Sequence, residues 1–508
     1  MLKIFTTQQI READQYTISH EPIASIDLME RASKAFVQQF TELFSTRYPI
    51  VIFCGMGNNG GDGLAIARLL SEERYKVKAY IVKHSENSSP DFQQNLKRLE
   101  ASQNNPTWIK AYEELPALEE GALVIDALLG SGLQRQLEGL LLKVVQYINH
   151  ANVLRVAVDV PTGLSTEHLS LTPEKVIQAH HTITFQTPKL AFLLPENEAL
   201  VGNWHVVNIQ LSPDFIEKTP TDNFLLERND ILARLQPRSK FSHKGSFGHA
   251  LLMVGSKGKI GAALLASKAL LRTGAGLLTT HLPNCGNWIL QTAFPEAMLH
   301  LDPAEDCLSE IIPQIEKYQA IGVGCGIGRE EKTQQMLRSL LEVLQKNSIP
   351  LVLDADALNI IGEEHREWQD LLPPNTILTP HPKEFERLAG KSQHSLERLS
   401  LLRSWAVQKK VYVVLKGHHT AIATPEGRVY FNSTGNAGMA TAGSGDTLTG
   451  IITSLLSQGY TPEASCMIGV YLHGLAGDIA ARQHSMSALL ASDIIEHIGD
   501  AFKVLYAQ

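Results

Sequence analysis

Cysteine is scarce and poorly placed for chemistry. The 508 residues hold five, Cys54, Cys285, Cys307, Cys325 and Cys466, with no Cys-x-x-Cys spacing. An odd, scattered set offers neither a disulfide framework nor a zinc site and suits a reducing cytosol. Positive charge is short too: 45 Lys and Arg against 53 Asp and Glu leave a net charge of −8, with no basic block. Nucleic acid is therefore not an expected partner. No apolar run reaches the ~18 residues that cross a membrane. The opening Met-Leu-Lys-Ile-Phe-Thr-Thr lacks the apolar segment of a signal peptide. The expectation is a cytoplasmic protein, and no fixed-period repeat organises it.

What the chain does hold is a globular composition, 44% hydrophobic and 19% charged, on a length that suits two domains. Residues 1 to about 47 carry apolar positions at helical spacing. Short apolar runs at 50–54, 77–82, 122–126, 154–159 and 181–185 then read as strands. A polar stretch around Pro213 to Asn223 reads as a linker. This gives a domain at 1–215, a linker at 216–224 and a domain at 225–508. The second domain has strand patterns at 249–254, 320–323, 350–354, 376–379 and 411–415. Strands alternating with helices predict a doubly wound, parallel α/β sheet in each half. The functional loops then lie at the carboxyl edge of the strands.

Three such edges carry chemistry in the first half. One is the loop Gly55-Met-Gly-Asn-Asn-Gly-Gly-Asp-Gly63, rich in backbone N–H groups and amide oxygens. The second is Asp126, followed by the glycine loop Gly130-Ser-Gly-Leu-Gln-Arg-Gln136, where Arg135 suits a phosphate. The third is Asp159, followed by Val-Pro-Thr162, where the ring of Pro161 fixes the turn. Amide, carboxylate and Thr oxygens are hard donors, fitted to an alkali or alkaline-earth ion. An aimed Asp159 could move a proton. Either aspartate alone could simply cap the following turn.

The second half culminates in Asn432–Gly450, a stretch with five glycines that runs into an apolar helix. Such a loop presents free N–H groups and the positive end of a helix dipole, which is an anion site. Asp446 inside it would repel a phosphate unless it acts as a base toward a hydroxyl that attacks a phosphoryl group. Upstream lie Gly324-Cys-Gly-Ile-Gly328, His381 between two prolines, and Lys416-Gly-His-His-Thr420. The first lets a ring or phosphate approach backbone, and the last is a nucleotide contact. Asp354 and Asp356 read as caps.

The motifs GMGNNGGDG, DALLGSG and VAVDVPTGL closely resemble the NAD(P)H-hydrate epimerase family, over about residues 1–215. The resemblance implies a Rossmann-like fold that interconverts the R and S forms of hydrated NADH and NADPH (NADHX and NADPHX). It implies that Asn58, Asn59, Gly60, Gly61 and Asp62 contact substrate, as do Gly130, Ser131, Gly132, Leu133, Gln134, Arg135 and Gln136. Asp159 would be the catalytic acid/base and would touch substrate. Asn59, Asp126 and Thr162 would hold a potassium ion; the family often has Ser at the last position.

The motifs KGSFGHALLMVGS, GVGCGIG, LTPHPKEFERL, VVLKGHHT and NAGMATAGSGDTLTG resemble the ADP-dependent NAD(P)H-hydrate dehydratase family, over about 225–508. This implies a ribokinase-like fold, Mg²⁺ and ADP, with Asp446 as catalytic base. Ala262 or Ala263, Gly326, His381 and Asp446 would contact the hydrate. Lys416, Gly417, His418, His419 and Thr420 would contact ADP. So would Asn436, Ala437, Gly438, Met439, Ala440, Thr441, Ala442, Gly443, Ser444 and Gly445. The resemblance also implies a homo-oligomer. Two rivals stand beside it: a small-molecule kinase with a fused regulatory domain, and a first half that only binds nucleotide or protein.

Overall fold

The computed structural model describes residues 1–132, 136–167, 169 and 172–507. The chain forms two compact units, Leu2–Thr221 and Asp222–Gln508. The polar stretch read as a linker is ordered: it holds a helix at Pro213–Lys218 and a strand at Asn223–Leu225, and the division falls between them. Pro213 at the first helical position and the extended Asn223 run explain why a polar segment still folds.

The first unit is built on seven strands: β1 (Ile50–Cys54), β2 (Val77–Val82), β3 (Thr107–Ile109), β4 (Leu123–Ala127), β5 (Leu154–Val158), β6 (His181–Phe185) and β7 (Asn203–Val207). Their order is β3-β2-β1-β4-β5-β6-β7, all parallel. Helices include α1 (Thr7–His20), α2 (Ser25–Leu43) and α3 (Asn58–Glu72). Every residue of β1 and β4 is buried; β1 reads as an unbroken apolar run, and β4 as one broken only by Asp126 near its end. The chain leaves β1 toward β2 on one side and returns to β4 on the other. The crevice between these strand ends is where such sheets bind ligands. Short β3 and exposed-edge β7 lacked a clear apolar run, which is why sequence periodicity passed over them.

In the second unit the strands are β8 (Asn223–Leu225), β9 (His249–Met253), β10 (Leu277–Pro283), β11 (Met298–Asp302), β12 (Ala320–Val323), β13 (Leu351–Leu353), β14 (Ile377–Leu378), β15 (Tyr412–Leu415), β16 (Ala421–Ala423) and β17 (Val429–Phe431). They lie in the order β8-β17-β16-β15-β14-β13-β12-β9-β10-β11. Pairing is parallel except where β16 lies antiparallel to β15 and β17. Helix α4 (Ser444–Ser457) packs on α5 (Ile260–Arg272) so closely that a side chain on Gly450 would meet the Ala266 carbonyl at 2.3 Å. One helix among the described residues, Pro462–His484, has the length and hydropathy of a membrane span, but 72% of its apolar window is buried inside the fold.

Close backbone approach fixes the start of α3. A side chain on Gly60 would sit 1.9 Å from the Gly55 carbonyl, and one on Gly55 would sit 1.8 Å from the Leu128 carbonyl. Alanine is the better helix former by about 1 kcal/mol, yet here the collision dominates. Gly60→Ala is expected to destabilise the first unit by about 1–3 kcal/mol. The readout is a lower first thermal transition of the full chain; an unchanged or raised midpoint would contradict the packing.

Candidate active sites

In the first unit a cavity of about 1070 Å³ opens over the carboxyl edge of the sheet. Asn58, Asn59, Asp62, Gly130, Ser131, Gly132, Gln136 and Asp159 all line it. Leu133, Gln134 and Arg135 lie outside the described residues. Gly60 and Gly61 do not reach the cavity. They are buried where α3 packs on Gly55, Met29 and Phe92.

Asp159 follows β5 with φ 61°, a left-handed conformation costing about 1–2 kcal/mol for a residue with a side chain. The strain is held by a dense set of bonds. Its Oδ1 accepts from Thr184 Oγ1 at 3.0 Å and the Phe185 N–H at 3.1 Å and forms an ion pair with the Lys189 ammonium at 2.9 Å. Lys189 is only 1% exposed and also donates to Thr184 Oγ1 and to the Phe185 and Thr187 carbonyls. Two donors and an ammonium thus converge on one carboxylate oxygen, and the other oxygen has no hydrogen-bond partner among the described residues.

Asp126 is fully buried behind the cavity wall. The Thr162 N–H donates to its Oδ2 at 2.8 Å and the Thr162 hydroxyl to its Oδ1 at 2.7 Å. Burial still pushes its pKa up to about 6 against those bonds. Asn59 is buried beside Gly130 with its amide nitrogen unpartnered. Amide N and O are exchangeable by a flip. A buried acid with no cation beside it among the described residues, and an unpaired amide end, fit a monovalent cation held by oxygens. Asp62 is raised well above the ordinary carboxylate range, by burial and then by Asp159 and Asp14.

The second site gathers at the first turn of α4. Gly443 caps the helix at φ 88°, and Asp446 lies in the first turn. Burial, then the Asp354 carboxylate, push Asp446 up to about 6. The first amides of a helix have no partner within it, so a carboxylate and such amides share one turn. Asp354, read from sequence as a cap, is central. It accepts from the Lys416 ammonium at 2.9 Å and from Thr449 Oγ1 at 2.8 Å. A side chain on Gly445 would lie 3.3 Å from Lys416 Nζ and 3.7 Å from Asp354 Oδ2. Burial opposes the Lys416 charge, but Asp354 and Glu384 outweigh it and raise its pKa. Lys416 is thus committed to an ion pair.

Gly324, Gly326 and Gly328 all have positive φ. A side chain on Gly326 would meet Ala262 Cβ at 3.1 Å. Of the two candidate alanines, Ala262 faces this loop, whereas Ala263 is fully buried against Gly255 and belongs to the core. His381 caps the helix Pro382–Ala389 by accepting from the Lys383 and Glu384 N–H groups at Nδ1. Burial, then Lys416, lower its pKa, so it is a neutral imidazole with its proton on Nε2. Gly417 and His418 are exposed, while His419 turns to the Asn432 carbonyl and is lowered to about 4 by burial. Thr420 bonds Gly417.

The loop from Asn436 is held by Asp478, which accepts from Asn436 Nδ2 and the Gly435 N–H, both at 2.9 Å. Ala437 and Gly438 form a short turn with Met439, whose sulfur fills the space a Gly477 side chain would need. Ala440, Thr441 and Ala442 lead on into Gly443, and Ser444 Oγ sits 3.3 Å from His473 Nε2.

A family model described as NAD(P)H-hydrate dehydratase matches residues 250–499, and one described as YjeF-related protein N-terminus matches residues 25–191. The bifunctional NAD(P)H-hydrate repair enzyme of Moorella thermoacetica is 34% identical, over 97% of this chain and 96% of that one. The Escherichia coli enzyme of the same name is 31% identical, over 97% of this chain and 92% of its own. The chain belongs to the bifunctional NAD(P)H-hydrate repair enzyme family. A solved ribokinase-like superfamily protein from Enterococcus faecalis matches the second unit's fold with a TM-score of 0.50 and 27% identity, covering 56% of this chain and 98% of that one.

In this member of the repair-enzyme family, sequence reasoning missed Asp14 and Lys189, which line the first cavity, and Asp478, which anchors the glycine loop. Lys189 gave one signal: it directly precedes an apolar run, Leu190-Ala-Phe-Leu193. Breaking its pair should be costly. Lys189→Met is expected to destabilise the first unit by about 1–3 kcal/mol, because the partly buried Asp159 is left without its counter-charge. Adding Asp159→Asn should restore part of that loss in urea denaturation. Strictly additive losses would show that the two groups do not act as a pair.

Proposed function

We propose that the chain repairs hydrated nicotinamide dinucleotides in two steps. The first unit interconverts R and S NADHX or NADPHX. The second converts the S form to NADH or NADPH, using ADP and releasing AMP and phosphate. The observation carrying this reading is that one family relationship spans both units while each unit keeps an aspartate where its chemistry needs one, Asp159 and Asp446.

Hydration of a dihydronicotinamide puts the hydroxyl on C6, beside ring nitrogen N1. In the second unit the Asp446 carboxylate takes the hydroxyl proton. The oxygen attacks the terminal phosphorus of ADP, and AMP leaves. The first amides of α4 face the transferring group and hold its charge. Phosphate is a far better leaving group than hydroxide. The C6–O bond then breaks with help from N1, C5 gives up a proton, and the ring double bond returns. His381, neutral and protonated on Nε2, is a donor to the substrate amide or hydroxyl. Mg²⁺ fits as a companion of the nucleotide phosphates and supplies charge neutralisation there. Among the described residues no three acidic, His or Cys side chains form a metal cluster of their own.

In the first unit Asp159 exchanges protons with the C6 hydroxyl. Asn59, Asp126 and Thr162 would hold potassium, whose charge offsets the buried Asp126 and steadies the adjoining Gly130 loop.

Asp446 must be ionised to act as a base. Its pKa is raised to about 6, so the dehydration rate at limiting substrate should fall as pH drops below about 6. Asp446→Asn should lower that rate about 10²–10⁴-fold and leave epimerisation intact. Asp159→Asn should do the reverse. The test is an assay that resolves the two epimers chromatographically with ADP present. A stable phosphorylated product in place of NADH would sink the repair reading and make the second unit a small-molecule kinase.

A further inference from the structure

We propose that Asp14 is the second catalytic residue of the first unit, the acid that works opposite the base Asp159; this rests on the epimerase reading above. Epimerisation at C6 needs one group to take a proton and another to give one. Only Asp159 has been assigned, and its surroundings suit an acceptor: Thr184 and the Phe185 N–H donate to Oδ1, and the Lys189 ammonium pairs with it.

Asp14 lies mid-helix in α1 and lines the same cavity. It makes no hydrogen bond to any described residue, although it is partly buried. A carboxyl in the middle of a helix, facing a cavity without a donor, is better placed to hold a proton than to be ionised. The groups facing it agree. Asp159 repels its charge and Lys189 favours it; Asp62 on α3 is likewise coupled to it. Asp91 and Arg11 also line the cavity. Burial, then Asp159, raise Asp14 to about 7. Two carboxyls in one cavity, one paired with an ammonium and the other without a donor among the described residues, suit an acid and base pair.

The step balances. The Asp159 carboxylate takes the C6 hydroxyl proton. The C6–N1 bond breaks, its electron pair goes to N1, and N1 takes the proton from Asp14. The ring-opened aldehyde turns about the C5–C6 bond and closes by the reverse transfers. Each aspartate recovers its starting state and nothing is consumed. At the midpoint the negative charge has passed to Asp14, where the Lys189 ammonium on the same cavity still favours it.

The test compares the pH dependence of epimerisation in wild type, Asp14→Asn and Asp14→Glu, measured on the full chain with pure R epimer. Asp14 must be protonated to act, so wild-type kcat should fall as pH rises through about 7. Asp14→Asn should lose about 10²–10⁴-fold in kcat, with KM within about threefold, and lose that alkaline limb. Asp14→Glu should recover part of the rate. The dehydration rate of the same preparations should be unchanged, which separates catalysis from misfolding. Wild-type kcat in Asp14→Asn, a surviving alkaline limb, or a defect confined to KM would overturn the assignment. A wild type that does not epimerise at all would overturn the parent reading and this one with it.

Discussion

Each unit depends on one ammonium–carboxylate pair set where its parallel strands end. In the first it is Lys189 with Asp159, exposed by 1% and 14%; in the second, Lys416 with Asp354, exposed by 23% and 2%. A carboxylate at the end of a buried strand is costly alone. Paired with a lysine and bonded by neighbouring hydroxyls and N–H groups it becomes a fixed charge around which the site is arranged. In the first unit the paired aspartate faces the cavity itself. In the second it stands behind Asp446, raises that group's proton affinity and holds Lys416 at the mouth of the glycine loop.

Both pairs carry local strain. Asp159 itself has φ 61°, and Ala355, the residue after Asp354, has φ 48°. Neither is glycine, so the conformations persist because the surrounding bonds over-determine them. Glycine is used instead where backbone must touch backbone. Gly55, Gly60 and Gly324 each lie under 2 Å, at their would-be Cβ, from a carbonyl oxygen. The glycine motifs thus divide into two kinds: those that pack strand ends against helices, and those such as Gly443 and Gly445 that leave amides free for an anion.

That division marks the limit of what was legible in the sequence. The α/β class, the strands of the sheet centres and the two signature loops could be read because buried parallel strands are continuous apolar runs. Edge strands such as Thr107–Ile109 and Met298–Asp302 could not, since their pattern is short or mixed. A glycine motif does not reveal which of its members face ligand: Asn58 and Asn59 line the cavity while Gly60 and Gly61 pack inside. Asp14 and Lys189 belong to no glycine loop, and only tertiary structure brings them beside Asp159. Asp354 looked like a cap because its partner, Lys416, is 62 residues away.

Two proton-transfer sites on one chain make chemical sense when one accepts a single epimer and the other supplies it. The most direct measurement takes an equilibrated mixture of R and S NADHX with ADP, Mg²⁺ and K⁺, and follows the reduced-nicotinamide absorbance to completion. Recovery of the whole mixture, faster than spontaneous epimerisation allows, is the predicted result. Rapid recovery of the S fraction alone, with the remainder returning at the uncatalysed rate, would contradict it and leave the first unit a binding module.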